Sequence, residues 1–526
     1  MAEKDQRAQG LTETRALELP ERGPAVVAFI KEDCPTCQLV LPVLNAIARH
    51  WGEACPVRIV GQTVAGNRAL EASLGSERYI DILDDADLHA SFAADIETVP
   101  TVQLKSADSS AELIGFSRDE WQTQLDQFAA ALNAETLALD WSTLPEWRPG
   151  CGSLSVDPLH ADRLRAEAEG SPLRARRLTV GQADDPFEFL FDQGFSDGLP
   201  VVPPTPERVL RMLDGTHRDA QDIVAVVPPN LVEVTVEKVA INAVMAGCRP
   251  EYLPVVLTAL EAACTDEYNI HGVMATTMGA SPVVVVNGPI RRQLGMNMEL
   301  GALGQGNRAN ATIGRALRLV LRNIGGAVPG GTERSTLGNA SKFTQCFAEW
   351  EERNPWGPLH VERGFAAEDS VVTLFTMSSG PTLIVDQDSR TGHSLGTSFG
   401  LCLEAAFHPK AHYATDVLVV VCPEHVDTFV NDGWDKTKIR ERIQAVTARP
   451  IRELAGDEDC AVGFKPAQIA KMDAAALDRP LPKFRTPEDI HLVVAGSNAG
   501  KFSGAFHGWA TGPIGSIMVS RKIELN

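Results

Sequence analysis

Cys34 and Cys37 enclose Pro35 and Thr36 in a Cys-x-x-Cys pair. Two thiols at that spacing exchange disulfides: one attacks, and the other, a helical turn further on, resolves the mixed disulfide. Attack needs a thiolate, and the partial positive charge at a helix N-terminus lowers a cysteine's pKa. The flanking sequence offers that setting. Ala25-Val26-Val27-Ala28-Phe29-Ile30 reads as a strand, and Leu39-Val40-Leu41-Pro42-Val43-Leu44 as an amphipathic helix. Cys34 is thus the expected nucleophile and Cys37 the resolving thiol. The competing use is a metal half-site, but the chain has no second Cys-x-x-Cys and no histidine pair at finger spacing. No metal is expected.

A third sulfur stands out in Arg148-Pro149-Gly150-Cys151-Gly152-Ser153-Leu154. Glycines on both sides leave the thiol open and let another backbone approach closely. Pro149 stiffens the approach. Ser153 is placed to donate a hydrogen bond to a thiolate, and Arg148 to lower its pKa. These neighbours suit a reactive cysteine, and the Gly-Cys-Gly context is a poor one for packing.

Beyond the dithiol, Thr98-Val99-Pro100-Thr101-Val102 leads into a strand through Gln103 and Leu104, and Asp119 to Leu132 fits a closing helix. Over residues 20–134 this order resembles the thioredoxin superfamily. The resemblance implies a thioredoxin-like fold in which Pro100 is a cis-proline packed against the dithiol, leaving a backbone edge free for a thiol partner. The chain departs from the family in two places. Asp33 precedes the dithiol, with Pro35-Thr36 inside it, and Ala28 replaces the buried acid six residues before the first cysteine. Lys31, Glu32 or water is left as the proton-transfer partner.

At 526 residues the chain is too long for one ordinary domain. Leu137 to Pro149, with Trp141 and Trp147, reads as an ordered tether, because Gly/Ser linkers lack such aromatics. The expected division is a redox domain at 20–134, a tether at 135–185 carrying Cys151, and an α/β domain at 186–526. Within the last, Val224–Val227, Val283–Val286, Val417–Val421 and Leu492–Ala495 are apolar runs suited to strands buried on both faces. Helical stretches at Val236 to Met245, Leu253 to Ala263, Ala309 to Arg322 and His425 to Phe429 alternate with them. The pattern predicts a layered α/β domain, in two lobes with a boundary near residue 380.

This region resembles the UGSC-type (seleno)protein family. The resemblance rests on the Cys151 segment, on Asp197-Gly198-Leu199-Pro200-Val201-Val202-Pro203-Pro204-Thr205, on Glu237 to Cys248 and on Pro358 to Phe365. It implies redox chemistry, with Cys151 where the family's reactive chalcogen would be. Leu154 replaces the family's second cysteine, so Cys151 cannot close a local disulfide there. Cys248 and Cys346 also lie in or near these segments.

Candidate substrate contacts are Asn307 and Arg308, which open a helix after a glycine-rich run, with Arg315 adding charge for an anion. Gly496 and Ser497 follow a strand in a run that imitates a P-loop but lacks its spacing. His271 is a candidate acid–base group. His408 and His412 have i, i+4 spacing but no third metal ligand, and Glu349, Glu351 and Glu352 read as a solvated helix face.

The net charge, 48 minus 69, is −21, which argues against nucleic acid or an anionic membrane as partner. No apolar run approaches the roughly 18 residues needed to span a bilayer. The polar stretch Met1 to Pro20 is unlike a signal peptide. Ten cysteines without framework spacing suit the cytoplasm. The functional expectation is a thiol-dependent oxidoreductase in which Cys151 meets a small electrophile and the Cys34/Cys37 dithiol resets it. An external cellular thiol or dithiol is the reductant, and no tightly bound cofactor is expected. A homodimer is the default assembly for a chain of this kind. The alternatives are a thiol-based lyase cleaving a carbon–heteroatom bond, which need not oxidise the dithiol, and a redox-controlled binding protein.

Overall fold

The computed structural model describes residues 23–52, 55–75, 78–106, 110–181 and 184–525. The stretch Met1 to Pro20 lies outside the described residues. The chain falls into two compact units, Met1–Leu178 and Thr179–Asn526. The segment bearing Cys151 belongs to the first.

The first unit opens with β1 (Ala25–Ile30), in which every residue is buried. α1 (Pro35–Trp51), β2 (Val57–Gly61), α2 (Val64–Leu74), β3 (Asp81–Asp84) and α3 (His89–Ala93) follow. Next come the short β4 (Thr98–Val99), then β5 (Thr101–Lys105), β6 (Ser110–Ile114), β7 (Phe116–Ser117) and α4 (Arg118–Ala131). The sheet order is β3-β2-β1-β5-β6. β1, β2 and β3 are parallel, and β5 and β6 run antiparallel to their neighbours. A central strand with no polar residue needs cover on both faces. Val40, Leu44 and Ile47 of α1 and Trp121, Leu125 and Phe128 of α4 join its core. The Trp121 indole also donates to the Gly115 carbonyl at 3.2 Å, which satisfies the one polar atom it buries.

Beyond α4 the chain returns to this unit through β8 (Trp147–Arg148) and β9 (Cys151–Gly152). β8 pairs with β7, and β9 with β4, so two short ribbons carry the Cys151 segment along the sheet's end. A helix, Pro158–Ala168, follows.

The second unit is a layered α/β structure on one mixed sheet of seven strands. Its order is Cys346–Ala348, Ser281–Asn287, Val371–Val385, Phe502–Gly508, Val417–Val421, Ile490–Val494, with Val519–Lys522 also on Val371–Val385. Alternation along the central strands builds two cores. Val417, Val419, Val421, Leu492 and Val494 pack on one side, and Leu418, Val420 and Val493 on the other. No lobe boundary falls at residue 380. The strand Val371–Val385 runs through it, with Gly380 at φ 118° where a Cβ would meet the Phe506 backbone. The Val224 run is not buried on both faces either. It lies in a separate two-stranded ribbon, Ile223–Val227 with Val232–Thr235, and Ile223 and Val226 are 51% and 48% exposed. The helices at 236–246, 253–263, 308–323 and 423–431 form close to where the sequence places them. No described helix is long and apolar enough to cross a membrane.

Trp121→Ala is expected to destabilise the first unit by about 3–5 kcal/mol, since a fully buried ring and a satisfied indole are both lost. Urea unfolding of the full chain followed by circular dichroism checks this, with one transition moving to lower denaturant and the rest of the curve unchanged.

Candidate functional site

The site is built at the start of α1. Cys34 is its N-cap, with extended backbone, and its sulfur accepts a hydrogen bond from the Cys37 amide at 3.5 Å. Cys37 lies on the first turn, where the Lys31 amide donates to its sulfur at 3.5 Å. Both cysteines are fully buried. Val99-Pro100 is a cis peptide bond, and the Val99 carbonyl oxygen is 3.5 Å from the Cys34 sulfur. Pro100 thus occupies the place that the thioredoxin resemblance implies.

β9 brings Cys151 to the same point. Cys151 pairs with Val99 and Gly152 with Thr98, so the backbone edge beside the cis-proline is taken by the chain's own strand. Three contacts fix the approach. The Thr36 hydroxyl donates to the Pro149 carbonyl at 2.6 Å, and the Arg148 guanidinium reaches the Pro35 carbonyl at 3.5 Å. The Cys151 and Cys34 thiols come close enough for each to shift the other's acidity. Gly150 is needed for this closeness, because a Cβ there would stand 2.9 Å from the Val99 oxygen. Gly115 plays the same part from the other side: at φ 67°, a Cβ on it would meet the Gly150 amide nitrogen at 2.9 Å. Gly152 has open space instead.

The three thiols differ in acidity. Hydrogen bonding from Cys37 is the largest influence on Cys34, and with a further donor in Cys151 it overcomes burial and brings the Cys34 pKa down to about 5. Burial, followed by the charge-bearing Cys34 sulfur, pushes Cys37 far up. Cys151 is also raised, chiefly by its hydrogen bond to Cys34 and then by desolvation. The Cys34–Cys151 pair therefore holds one negative charge, seated mainly on Cys34, and titrates as a unit. All ten cysteines carry free sulfurs.

Two expected helpers of Cys151 act elsewhere. Ser153 is buried and bonded to the Gln62 amide and to Ser155, both at 2.7 Å, so it anchors the loop without contacting the thiol. Arg148 is turned to the Pro35 carbonyl, and Lys31 is the cation that most opposes the rise in the Cys151 pKa. The candidate proton-transfer groups are also engaged. Lys31 pairs with Asp33 at 3.4 Å, and the Glu32 carboxylate accepts from Thr63 at 3.3 Å. Sequence reasoning missed Gln62 and Thr36. Gln62 reads as a polar residue closing a strand, and only the fold shows it buried beneath residue 153.

In the second unit the candidates scatter. Asn307 caps the helix Arg308–Asn323 by accepting from the Asn310 amide at 3.0 Å. Arg308 lines a cavity described below. Arg315 is not available to an anion, because Asp197 pairs with it at 2.7 Å and 2.9 Å. His271 is exposed on the short helix Ile270–Ala275. Gly496, at φ 114°, donates its amide to Met298, and the Ser497 hydroxyl accepts from the Ala499 amide. His412 is committed to the Leu481 and Pro482 carbonyls at 3.0 Å. The glutamates are no solvated helix face. Glu349 is fully buried and accepts from Asn287 and Asn354, both at 2.7 Å, while Glu351 pairs with Arg291. Cys248 and Cys346 are buried, and burial pushes Cys248 up to about 12.

A dithiol that opens a helix, faces a cis-proline and lies at the end of a sheet in this strand order is the arrangement of a thioredoxin-like fold. Solved structures similar to this N-terminal part include a secreted disulfide oxidoreductase of Mycobacterium tuberculosis homologous to E. coli DsbE. It is 22% identical over 20% of this chain and 81% of its own, with a TM-score of 0.18. StoA from Bacillus subtilis is 18% identical over 20% of this chain and 82% of its own, with a TM-score of 0.18. A hypothetical protein from Sinorhizobium meliloti is 18% identical over 24% and 78%, with a TM-score of 0.19. No family model matches the chain. No curated protein matches it. The UGSC-type resemblance therefore rests on the residues quoted for it alone.

The thiolate on Cys34 is expected to give a 240 nm absorbance step with a midpoint near pH 5, absent in Cys34→Ala. Cys37→Ala should raise that midpoint most and Cys151→Ala less, because each removes a donor to the charged sulfur. As the folded pKa lies below the unfolded one, this group makes the reduced protein more stable as pH rises from about 5 toward the ordinary thiol range.

Proposed function

We propose that this protein is a thiol-dependent oxidoreductase in which Cys151 reacts with a small electrophile and the Cys34/Cys37 dithiol resets it. The observation that carries this reading is the pairing of β9 with β4, which holds the Cys151 thiol against Cys34. A second observation supports the order of events: Cys151 is partly exposed, whereas Cys34 and Cys37 are fully buried. A small molecule reaches Cys151 first.

The cycle balances as a two-electron reduction. The substrate, a disulfide or peroxide-type electrophile, oxidises Cys151 to a mixed disulfide or a sulfenic acid: its S–S or O–O bond breaks as the new bond to the Cys151 sulfur forms, and the departing thiolate or alkoxide takes up the Cys151 proton and leaves as a thiol or alcohol. The Cys34 thiolate attacks the Cys151 sulfur, forming the Cys34–Cys151 disulfide and expelling a thiolate or hydroxide, which is protonated by solvent. Cys37 then loses its proton and attacks Cys34, closing the Cys34–Cys37 disulfide and releasing Cys151 as a thiolate. An external cellular dithiol supplies two electrons and two protons to restore the start. Neutralising Cys34 in the disulfide removes the main influence that raises the Cys151 pKa, so the freed Cys151 is a better nucleophile in that state. Such a reductant suits a cytoplasmic setting.

Cys37→Ser should trap the Cys34–Cys151 disulfide after mild oxidation, seen as a linked peptide by mass spectrometry after proteolysis. Gly150→Ala, which pushes the Cys151 strand from Val99, should slow trapping at least about tenfold, as a small misplacement from near-attack geometry costs. Cys34 recovered with no link to Cys151, while Cys151→Ser retains full turnover of a small disulfide, would rule out this cycle.

A further inference from the structure

The second unit holds a cavity of about 280 Å³ whose rim is arginine. Arg208 and Arg211 come from the helix Pro206–Leu213, Arg249 from the turn that ends the helix Val236–Ala246, and Arg308 from the first residue of the helix Arg308–Asn323. No carboxylate lines it. That is unexpected in a chain with 21 more acidic than basic residues. Elsewhere in the unit arginines take acidic partners: Arg218 with Glu261, Arg291 with Glu351, Arg315 with Asp197, Arg353 with Asp427 and Arg440 with Glu362. None of the four rim arginines has an acidic partner at ion-pair distance among the described residues.

Two of the four are anchored on backbone carbonyls. Arg308 donates to the Gly247 carbonyl at 2.8 Å and the Cys248 carbonyl at 3.3 Å, and Arg208 to the Pro203 carbonyl at 2.9 Å. Each keeps further N–H groups of its fork for a ligand. Arg211 and Arg249 are exposed, and no hydrogen bond from either guanidinium is found among the described residues. The floor is apolar, formed by Val202, Met212, Val244 and Pro250. Cys248 adds no charge to it: the thiol is 6% exposed and points at the Thr312 carbonyl, 3.4 Å away. Guanidinium forks match phosphate oxygens two at a time, and gathering four of them without counter-charge favours a multiply charged anion over a single carboxylate.

We infer that this cavity is a binding site for a small phosphorylated compound carrying at least two negative charges, with the phosphate held by Arg208, Arg211, Arg249 and Arg308 and the organic body resting on the apolar floor. The site lies wholly in the second unit and does not rest on the thiol cycle.

Calorimetric titration of the full chain with pyrophosphate and with ADP, each at low and high salt, tests it. Saturable binding of one molecule per chain is expected, weaker at high salt and tighter for ADP than for pyrophosphate. Arg211→Gln and Arg249→Gln should each weaken it by about tenfold, the worth of one charge-assisted hydrogen bond. Unfolding of the ligand-free variants, followed by circular dichroism, should not fall, because removing one of four like charges relieves repulsion. Absence of saturable binding for both probes at millimolar concentration overturns the site. So does binding that is unchanged in the Arg211→Gln/Arg249→Gln double variant. Equal affinity for the two probes overturns the role given to the floor.

Discussion

One negative charge shared between two sulfurs governs the first unit. Cys34 sits at the start of α1, where the Cys37 amide reaches its sulfur, and Cys151 supplies a second donor from a different part of the chain. A thiolate in a fully buried place survives only if such donors outweigh desolvation. The backbone around the pair brings the second donor in: Gly115 and Gly150 let two backbones approach, and Thr36 and Gln62 fasten the strand on either side of Cys151, while the Val99 carbonyl, an acceptor 3.5 Å from the Cys34 sulfur, works against the charge.

The same arrangement sets the acidity of Cys151 by the redox state of its neighbour. While Cys34 holds the charge, Cys151 stays protonated and donates. Hydrogen bonding of this kind makes two sulfurs one acid, so neither has a private pKa. Arg148, adjacent in sequence, matters less than Lys31, whose charge acts on Cys151 across the fold. Sequence proximity is a poor guide to which charge a sulfur feels.

Much of the first unit was legible because its signals are local. The apolar run before the dithiol, the cysteine spacing, Pro100 and the closing helix each follow from short-range patterns, and the helix forms at Arg118–Ala131 within a residue of its expected bounds. In the second unit the valine runs at 283, 417 and 492 formed strands buried on both faces, the last of them at the edge of the sheet, since continuous β-branched sequence needs cover on both faces. The run at 224 looked the same and became a half-exposed ribbon, because what covers a strand is decided by tertiary pairing. The lobe boundary failed for a related reason: a strand of fifteen residues bridges it. Long-range partners were equally invisible. Ser153 was drawn away by Gln62, Arg315 by Asp197, and Glu349 was buried by Asn287 and Asn354. The four rim arginines stand up to a hundred positions apart in sequence, from 208 to 308, and nothing but the packing of three helices gathers them.

The docking of β9 on β4 makes the dithiol a selective instrument. Any outside polypeptide seeking the strip of backbone at Thr98 and Val99 must first evict a resident that is covalently tethered and always at hand. A rival in free solution competes against an effective concentration of about millimolar or more for such a tethered segment. The unit therefore has a built-in bias against casual protein clients, and the closeness of Cys151 to the dithiol is independent of how dilute the protein becomes.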